Sequence, residues 1–234
     1  MVSRIRRRQS TYVGGIDPDG PDAMFRTLKL RRQSAVARPG DIIEHPITRE
    51  RLTFLETSAE TGGACVRYQL EVAPGGFVAA PHVHPWIEER IDIVSGEWIF
   101  VIEGVERLLS PGDSAIIPAR QAHSWRNAGP ETGVAIVECR PALKTEEFFE
   151  TFFGLAQDGL VDPTSGLPFQ PWLAMMVVDY HNDFAHPAEP PLQVIIDSMR
   201  PIADEARRQG LRFPYPYPHP DRSSESVRGP GSVA

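Results

Sequence analysis

Short apolar stretches that alternate with polar residues, each bounded by glycine or proline, dominate residues 47–142. In the clearest of them, ACVRYQLEV, the side chains of Tyr68 and Val72 share one face of an extended strand with the other apolar residues. Two further stretches, EWIFVI and VERLL, are joined by Glu103-Gly104 and predict a hairpin. Many short strands separated by turns are typical of an antiparallel sandwich or barrel.

The spacing of apolar residues changes to that of a helix after Pro141. Three helices are predicted, at 145–159, 171–184 and 191–210. Proline removes a backbone donor and clashes with the preceding turn, so Pro201 should break or kink the last helix. The predicted fold class is therefore mainly β, an antiparallel β-barrel followed by about three α-helices.

Composition divides the chain into four parts. They are a flexible N-terminal arm at 1–23, the β-barrel at 24–142, a C-terminal helical extension at 143–210 and a Pro-rich disordered tail at 211–234. An exposed strand at about 24–37, beside the edge of the barrel, would allow two copies to pair, so a homodimer is expected.

Charge and hydropathy argue against two classes of partner. The formal net charge is -7, and an acidic body is a poor match for the phosphates of a nucleic acid. No apolar run approaches the roughly 20 residues that span a bilayer, so no membrane partner is expected and a cytoplasmic location is predicted. Two cysteines, Cys65 and Cys139, fit a reducing compartment and are interpreted as packing residues.

The stretch PHVHPWIEER contains the side chains that are best suited to bind a metal ion. On an extended strand His82 and His84 point the same way, about 7 Å apart, so two imidazoles can converge on one cation. Two histidines on a solvated strand would look the same, so this signal alone is weak.

Strand parity distinguishes the two glutamates that follow. If ERIDIV is extended, Glu89 shares the apolar, interior face with Ile91 and Ile93, whereas Glu88 faces solvent. A carboxylate buried alone is very costly, and a metal held by nearby histidines would supply the opposite charge. A further histidine, His123, follows the next strand and turn; by itself it is better interpreted as a surface loop residue.

Two blocks of sequence together match a family pattern. The first, GFVAAPHVHPWIEERIDIVSG, has Gly76, then His82-x-His84, Glu89 and Gly96 at spacings of five, four and six residues. The second, GDSAIIPARQAHSWRN, has a glycine, proline, histidine and asparagine at 112, 118, 123 and 127. These blocks resemble the two signature motifs of the cupin superfamily, over roughly residues 45–142.

The resemblance implies a jelly-roll β-barrel that holds one divalent metal ion through His82, His84, Glu89 and His123, with a helical extension of the kind found in some single-domain cupins. One position departs from the motif, because Arg120 stands where a glycine is usual. Since glycine supplies a positive φ, we expect the turn to adapt. Arg120 is a possible substrate-orienting residue, although a solvated loop arginine is the favoured alternative.

An apolar pocket is expected around the metal. Its predicted lining residues, by strand parity or proximity to the ligands, are Tyr68, Trp86, Ile91, Ile93 and Trp125. Such a pocket would suit an aromatic or polyketide-like, oxygen-bearing small molecule. The phenylalanines of the first helix are predicted to pack on the outside of the sheet, with a ligand-binding aromatic box as the weaker alternative.

Three functions fit these features. The first is a metal-dependent oxygenase acting on a small organic molecule, which needs an open redox metal. The second is a non-redox isomerase, lyase or cyclase that uses the same metal as a Lewis acid. The third is a cupin that binds a small ligand without turnover. The ligand types do not distinguish iron, manganese, nickel, copper and zinc.

Overall fold

A computed structural model of the protein describes residues 37–218. Eleven strands are present in this range: β1 Ile42–His45, β2 Glu50–Glu56, β3 Val66–Val72, β4 His82–Val83, β5 Glu88–Ser95, β6 Trp98–Ile102, β7 Val105–Leu109, β8 Ser114–Ile117, β9 Ala122–Asn127, β10 Gly133–Arg140 and β11 His186–Pro187. Four helices accompany them: α1 Ser58–Thr61, α2 Thr145–Gln157, α3 Trp172–Tyr180 and α4 Leu192–Arg208.

The strands form two antiparallel sheets. One has six strands in the order β1-β2-β3-β10-β5-β8, and the other has five in the order β11-β4-β9-β6-β7. Non-consecutive neighbours, such as β3 beside β10 and β4 beside β9, mean that the chain crosses between sheets. This arrangement confirms the predicted mainly β, antiparallel jelly-roll fold.

The alternation in the sequence becomes the barrel interior. Along β3 every second residue is buried, and β5 follows the same pattern with Glu89, Ile91 and Ile93 inside. The hairpin between β6 and β7 turns at Glu103 and Gly104, with φ values of 50° and 75°. Two consecutive positive φ values match the twist of the flanking strands, as the predicted hairpin requires.

The three predicted helices are confirmed as α2, α3 and α4, each shorter than predicted by a few residues. Of the two predicted effects of Pro201, a break or a kink, the break is wrong, because α4 continues through it from Leu192 to Arg208. The short helix α1 was not predicted; its four residues carry no apolar periodicity. No helix in the described part of the chain is long and apolar enough to cross a bilayer.

Two predicted segments lie wholly or largely outside the described residues: the arm at 1–23 and the strand at about 24–37. The predicted disordered tail needs correction over 211–218. Tyr215 is buried and contacts the ring of Trp172 at a centroid distance of 5.1 Å. The hydroxyl of Tyr217 accepts a hydrogen bond from the backbone of Glu44 at 3.0 Å. Aromatic rings between the prolines give this segment apolar area to bury.

Candidate metal centre

Three histidines converge in the five-stranded sheet. His82 and His123 are opposite each other in the pairing of β4 with β9, and His84 follows directly after β4. Ring centroids are 4.2 Å apart for His82 and His123, and 5.0 Å apart for His82 and His84. One ring nitrogen from each residue lies within 4.8 Å of the others. His123 is buried in a strand, so its interpretation as a surface loop residue was wrong.

Backbone carbonyls orient all three imidazoles. Nδ1 of His82 donates to Ala80 at 3.0 Å, Nδ1 of His84 to Phe184 at 2.9 Å, and Nδ1 of His123 to Gln121 at 3.1 Å. A carbonyl oxygen can only accept, so in each ring the proton lies on Nδ1 and, in the neutral form, Nε2 keeps its lone pair. Metal-binding histidines usually have their second nitrogen held in this way.

Glu89 approaches the histidines from the other sheet. It lies on β5, is buried, and places Oε2 3.2 Å from Nε2 of His123. Glu88, one residue earlier, is exposed, so the parity argument that separated the two glutamates is confirmed for their orientation. The candidate ligands therefore lie between the two sheets, with histidines on one side and a carboxylate on the other.

Three of these side chains present a buried atom without a hydrogen-bond partner in the protein. They are Nε2 of His84, Nε2 of His123 and Oε2 of Glu89. The last two atoms are 3.2 Å apart, but no hydrogen bond joins them. A buried polar atom without a partner costs about 1–3 kcal/mol, so three of them around one point call for an explanation. A divalent cation bound there would satisfy all three.

The protonation states of His82, His84 and Glu89 fit a cation, whereas the pKa of His123 is raised because the contact with the Glu89 carboxylate outweighs burial. Burial lowers the pKa of His84, and burial followed by the neighbouring histidines lowers the pKa of His82, so both rings are neutral near pH 7. Burial alone would raise the pKa of Glu89, but its contact with His123 and the two other histidines outweigh this and lower it to about 2. Neutral imidazoles and an ionised carboxylate are the forms that bind a metal.

A cavity of about 130 Å³, open to solvent at its mouth, extends from His82, His84 and Glu89. Its floor is the inner face of the six-stranded sheet, including Leu52 and Leu70. The C-terminal extension covers the other side with the rings of Phe148, Phe149 and Phe184. The lining is largely apolar, and the polar groups that reach it include three of the candidate metal ligands, His82, His84 and Glu89.

The structure places three of the five predicted pocket residues on the cavity wall: Tyr68, Ile91 and Trp125. The other two need correction. Ile93 is buried in the barrel but is not part of the cavity wall. Trp86 is 52% exposed and donates from Nε1 to Asn182 at 3.2 Å, on the outside of the molecule. The proline between His84 and Trp86 redirects the chain, so strand parity no longer applies there.

Arg120 adopts the conformation that a glycine would take. Its φ is 74°, and its backbone N–H donates to the carbonyl of His84 at 2.7 Å. The expectation that the turn adapts was therefore wrong, because the turn is kept and the arginine bears the strain. Its guanidinium lies over the ring of Trp86, 4.9 Å from the centroid, and is exposed rather than part of the cavity wall.

Sequence reasoning missed two contributors to the cavity. The phenylalanines of α2 were predicted to pack outside the sheet, yet Phe148, Phe149 and Phe152 line the cavity, and the ring of Phe149 meets that of Tyr68 at 5.3 Å. Glu50 also reaches the wall. The inward orientation of Glu50 could have been predicted from the sequence, because Glu50 shares strand parity with the buried Leu52 and so faces the interior.

Comparison with known families agrees with the sequence motifs. Residues 68–138 match a family model described as the cupin domain. Residues 68–138 therefore form a cupin domain. The match includes His82, His84, Glu89 and His123, so all four candidate ligands lie within the cupin domain, whereas the helical extension that covers the cavity lies beyond it.

Several solved structures are similar to part of the chain. A sugar phosphate isomerase of the cupin superfamily from Silicibacter pomeroyi is 20% identical, with a TM-score of 0.36, over 40% of this chain and 60% of that one. A predicted oxalate decarboxylase from Thermotoga maritima is 19% identical, with a TM-score of 0.40, over 46% of this chain and 98% of that one. The chain thus spans about three fifths of the first of these structures. No curated protein matches the chain.

Proposed function

We propose that this cupin is a divalent-metal-dependent enzyme that acts on a small, largely apolar, oxygen-bearing organic molecule, and that it is an oxygenase. The observation that carries the proposal is the cavity itself. It joins a set of unpartnered metal-ligand atoms at one end to walls of aromatic and aliphatic side chains.

The metal would be held by His82, His84, His123 and Glu89. With only these four protein ligands, a metal ion that accepts more than four would keep a position for substrate, and an open position is what distinguishes a catalytic site from a closed structural one. When bound, such an ion supplies a Lewis acid and, if it is redox-active, a one-electron centre. The carbonyls of Ala80, Phe184 and Gln121 hold the imidazoles in the required tautomer, as described above.

The wall of the cavity defines the class of substrate. No lysine or arginine is among the described residues that line it, so it provides no cation for a phosphate or carboxylate group. Rings from Phe149 and Trp125 provide flat apolar surface instead. An aromatic or polyketide-like molecule that offers an oxygen atom to the metal fits these walls better than a phosphorylated sugar does.

The helical extension keeps water away from the reacting end. Phe148 and Phe184 contact each other at a centroid distance of 4.3 Å, and Phe184 also packs on His84 at 4.8 Å. Excluding water strengthens electrostatic interactions in the site and limits side reactions. The extension thus has a direct role at the metal centre, because the backbone carbonyl that orients His84 belongs to Phe184.

A second candidate is a non-redox isomerase, lyase or cyclase. It is favoured by the buried carboxyl of Glu50 and the hydroxyl of Tyr68, since both residues line the same cavity. Burial raises the pKa of Tyr68 well above its usual range, so its hydroxyl remains protonated and could donate a hydrogen bond. Such chemistry would consume no dioxygen.

The two candidates separate in one experiment. Protein loaded separately with Fe(II), Mn(II), Ni(II), Cu(II) or Zn(II) is mixed with phenolic and 1,3-diketone compounds while an oxygen electrode and mass spectrometry follow the reaction. The proposal expects oxygen uptake that matches product formation with a redox-active metal. Product formed without oxygen uptake would support the second candidate, and tight binding with no product would indicate a binding protein. His84→Ala should abolish turnover, and Glu88→Gln is the matched control.

A further inference from the structure

Glu50 is a buried carboxyl that is not among the candidate metal ligands. It is the first residue of β2 and pairs with Val72, the last residue of β3. Glu89 pairs with Cys139 on β10, which pairs in turn with Val66, the first residue of β3. The two residues therefore lie three strand spacings apart, about 14 Å across the sheet, and are also offset along the strands by the six residues from Val66 to Val72. Both nevertheless line the same cavity.

Neutral groups surround Glu50. Oγ1 of Thr48 donates a hydrogen bond to its Oε2 at 2.5 Å. The backbone N–H of Thr48 donates to Nδ1 of His45 at 3.2 Å, and burial lowers the pKa of His45 to about 4, so this ring is uncharged at neutral pH. Among the described residues, no lysine, arginine or histidine lies within ion-pair distance of Glu50.

Burial in this neutral setting raises the pKa of Glu50 to about 7. The hydrogen bond from Thr48 acts in the opposite direction but does not overcome the loss of solvation. The other titratable side chains on the cavity wall or beside Glu50 are His45, Tyr68, His82, His84, Glu89 and His186. Near neutral pH, Glu50 is therefore protonated in much of the population, and its O–H group is a hydrogen-bond donor in an apolar wall.

We propose that Glu50 forms a second polar subsite of the cavity, where it donates a hydrogen bond to a neutral ether, keto or hydroxyl oxygen of an otherwise apolar ligand. Resting on the proposed function, this makes the substrate a molecule with two separated oxygen groups, one at the metal and one at Glu50. An anionic group at the second position is disfavoured, because it would face a carboxyl in an apolar wall.

Anisole and ethylbenzene provide a matched pair of probes. They have nearly the same shape, but only anisole carries an oxygen acceptor. A neutral hydrogen bond in a buried site changes affinity by about fivefold, so wild-type protein at pH 6 should bind anisole about fivefold more tightly than ethylbenzene. Titrations followed by ligand-observed NMR, on protein from which metal has been removed by a chelator, measure both dissociation constants.

Three variants identify the group responsible. Glu50→Met keeps the length of the side chain but removes the donor, and the preference for anisole should disappear. Glu50→Gln keeps a donor that does not titrate, so its preference should not change between pH 5.5 and 8.5, whereas that of the wild type should fall. Glu88→Gln, the same change of side chain at an exposed position outside the cavity, is the matched control and should leave the preference unchanged.

Three results would overturn the proposal: equal affinity of wild-type protein for the two probes, a preference that survives in Glu50→Met, or no binding of either probe. Because these titrations use metal-free protein, their outcome does not depend on the metal. If the protein binds metal but does not prefer anisole, only the subsite proposal is refuted. If it prefers anisole but binds no metal, the proposed function is refuted and the subsite proposal stands.

Discussion

Replacing Glu50 by glutamine should stabilise the protein at high pH. The carboxyl is fully buried, and burial raises its pKa from 4.5 to about 7. A raised pKa means that the folded state holds the proton more tightly than the unfolded state, so unfolding releases a proton between these values. The contribution of Glu50 to stability is fully present below pH 4.5 and is lost as the pH rises through about 7.

The magnitude follows from the same pKa. At about 1.36 kcal/mol per pH unit, a rise from 4.5 to about 7 corresponds to roughly 3 kcal/mol of unfolding free energy lost by pH 8. Glutamine has a similar shape and does not titrate, so Glu50→Gln should avoid this loss. The stability difference, the unfolding free energy of the variant minus that of the wild type, should therefore be about 3 kcal/mol larger at pH 8 than at pH 4.

Urea unfolding at several pH values, followed by tryptophan fluorescence, measures this difference. Glu88→Gln, the same change at an exposed position, controls for the general effect of replacing a glutamate and should stay within about 0.5 kcal/mol of wild type. A difference between Glu50→Gln and wild type that does not change with pH would refute the reasoning. So would a wild type that gains stability relative to the variant as the pH rises, because that would mean an ion-paired carboxylate.

Substitutions at three further positions test the structure away from Glu50. Arg120→Gly should be about 1 kcal/mol more stable to urea than Arg120→Ala, because φ is 74° and only glycine adopts that value without strain; equal stability would contradict the left-handed backbone. Phe153→Ala should cost about 3–5 kcal/mol of unfolding free energy, since the ring is fully buried. Trp86→Ala should lower the unfolding free energy by less than about 1 kcal/mol and leave the affinity for anisole unchanged. A tenfold loss of affinity would mean that Trp86 does line the pocket.

Much of the barrel could be predicted from the sequence because its strands carry a clean two-residue alternation. The same alternation correctly predicts that Glu89 points inward and Glu88 outward. Placing His82, His84 and His123 together depended on the resemblance to a family, because spacing along the chain does not show which strands become neighbours. Pairing of β4 with β9 is what brings His82 opposite His123.

The cavity wall was harder to predict. An amphipathic helix such as α2 buries an apolar face against some surface, but its sequence does not show whether that surface is the outside of a sheet or the mouth of a barrel. For this reason the sequence pattern wrongly predicts Phe149 and its neighbours on the outside. The prediction for Trp86 is wrong for another reason, because strand parity does not extend past Pro85, where β4 has already ended.

The central claim is that His82, His84, Glu89 and His123 hold one divalent metal ion. Elemental analysis of protein purified without added metal, and after exposure to single divalent ions and desalting, tests it most directly. The account predicts close to one ion per chain for wild-type protein and for Glu88→Gln, and loss of that ion in His84→Ala. Equal metal loss in Glu88→Gln and His84→Ala, or no retained metal in correctly folded wild-type protein under any loading condition, would contradict it.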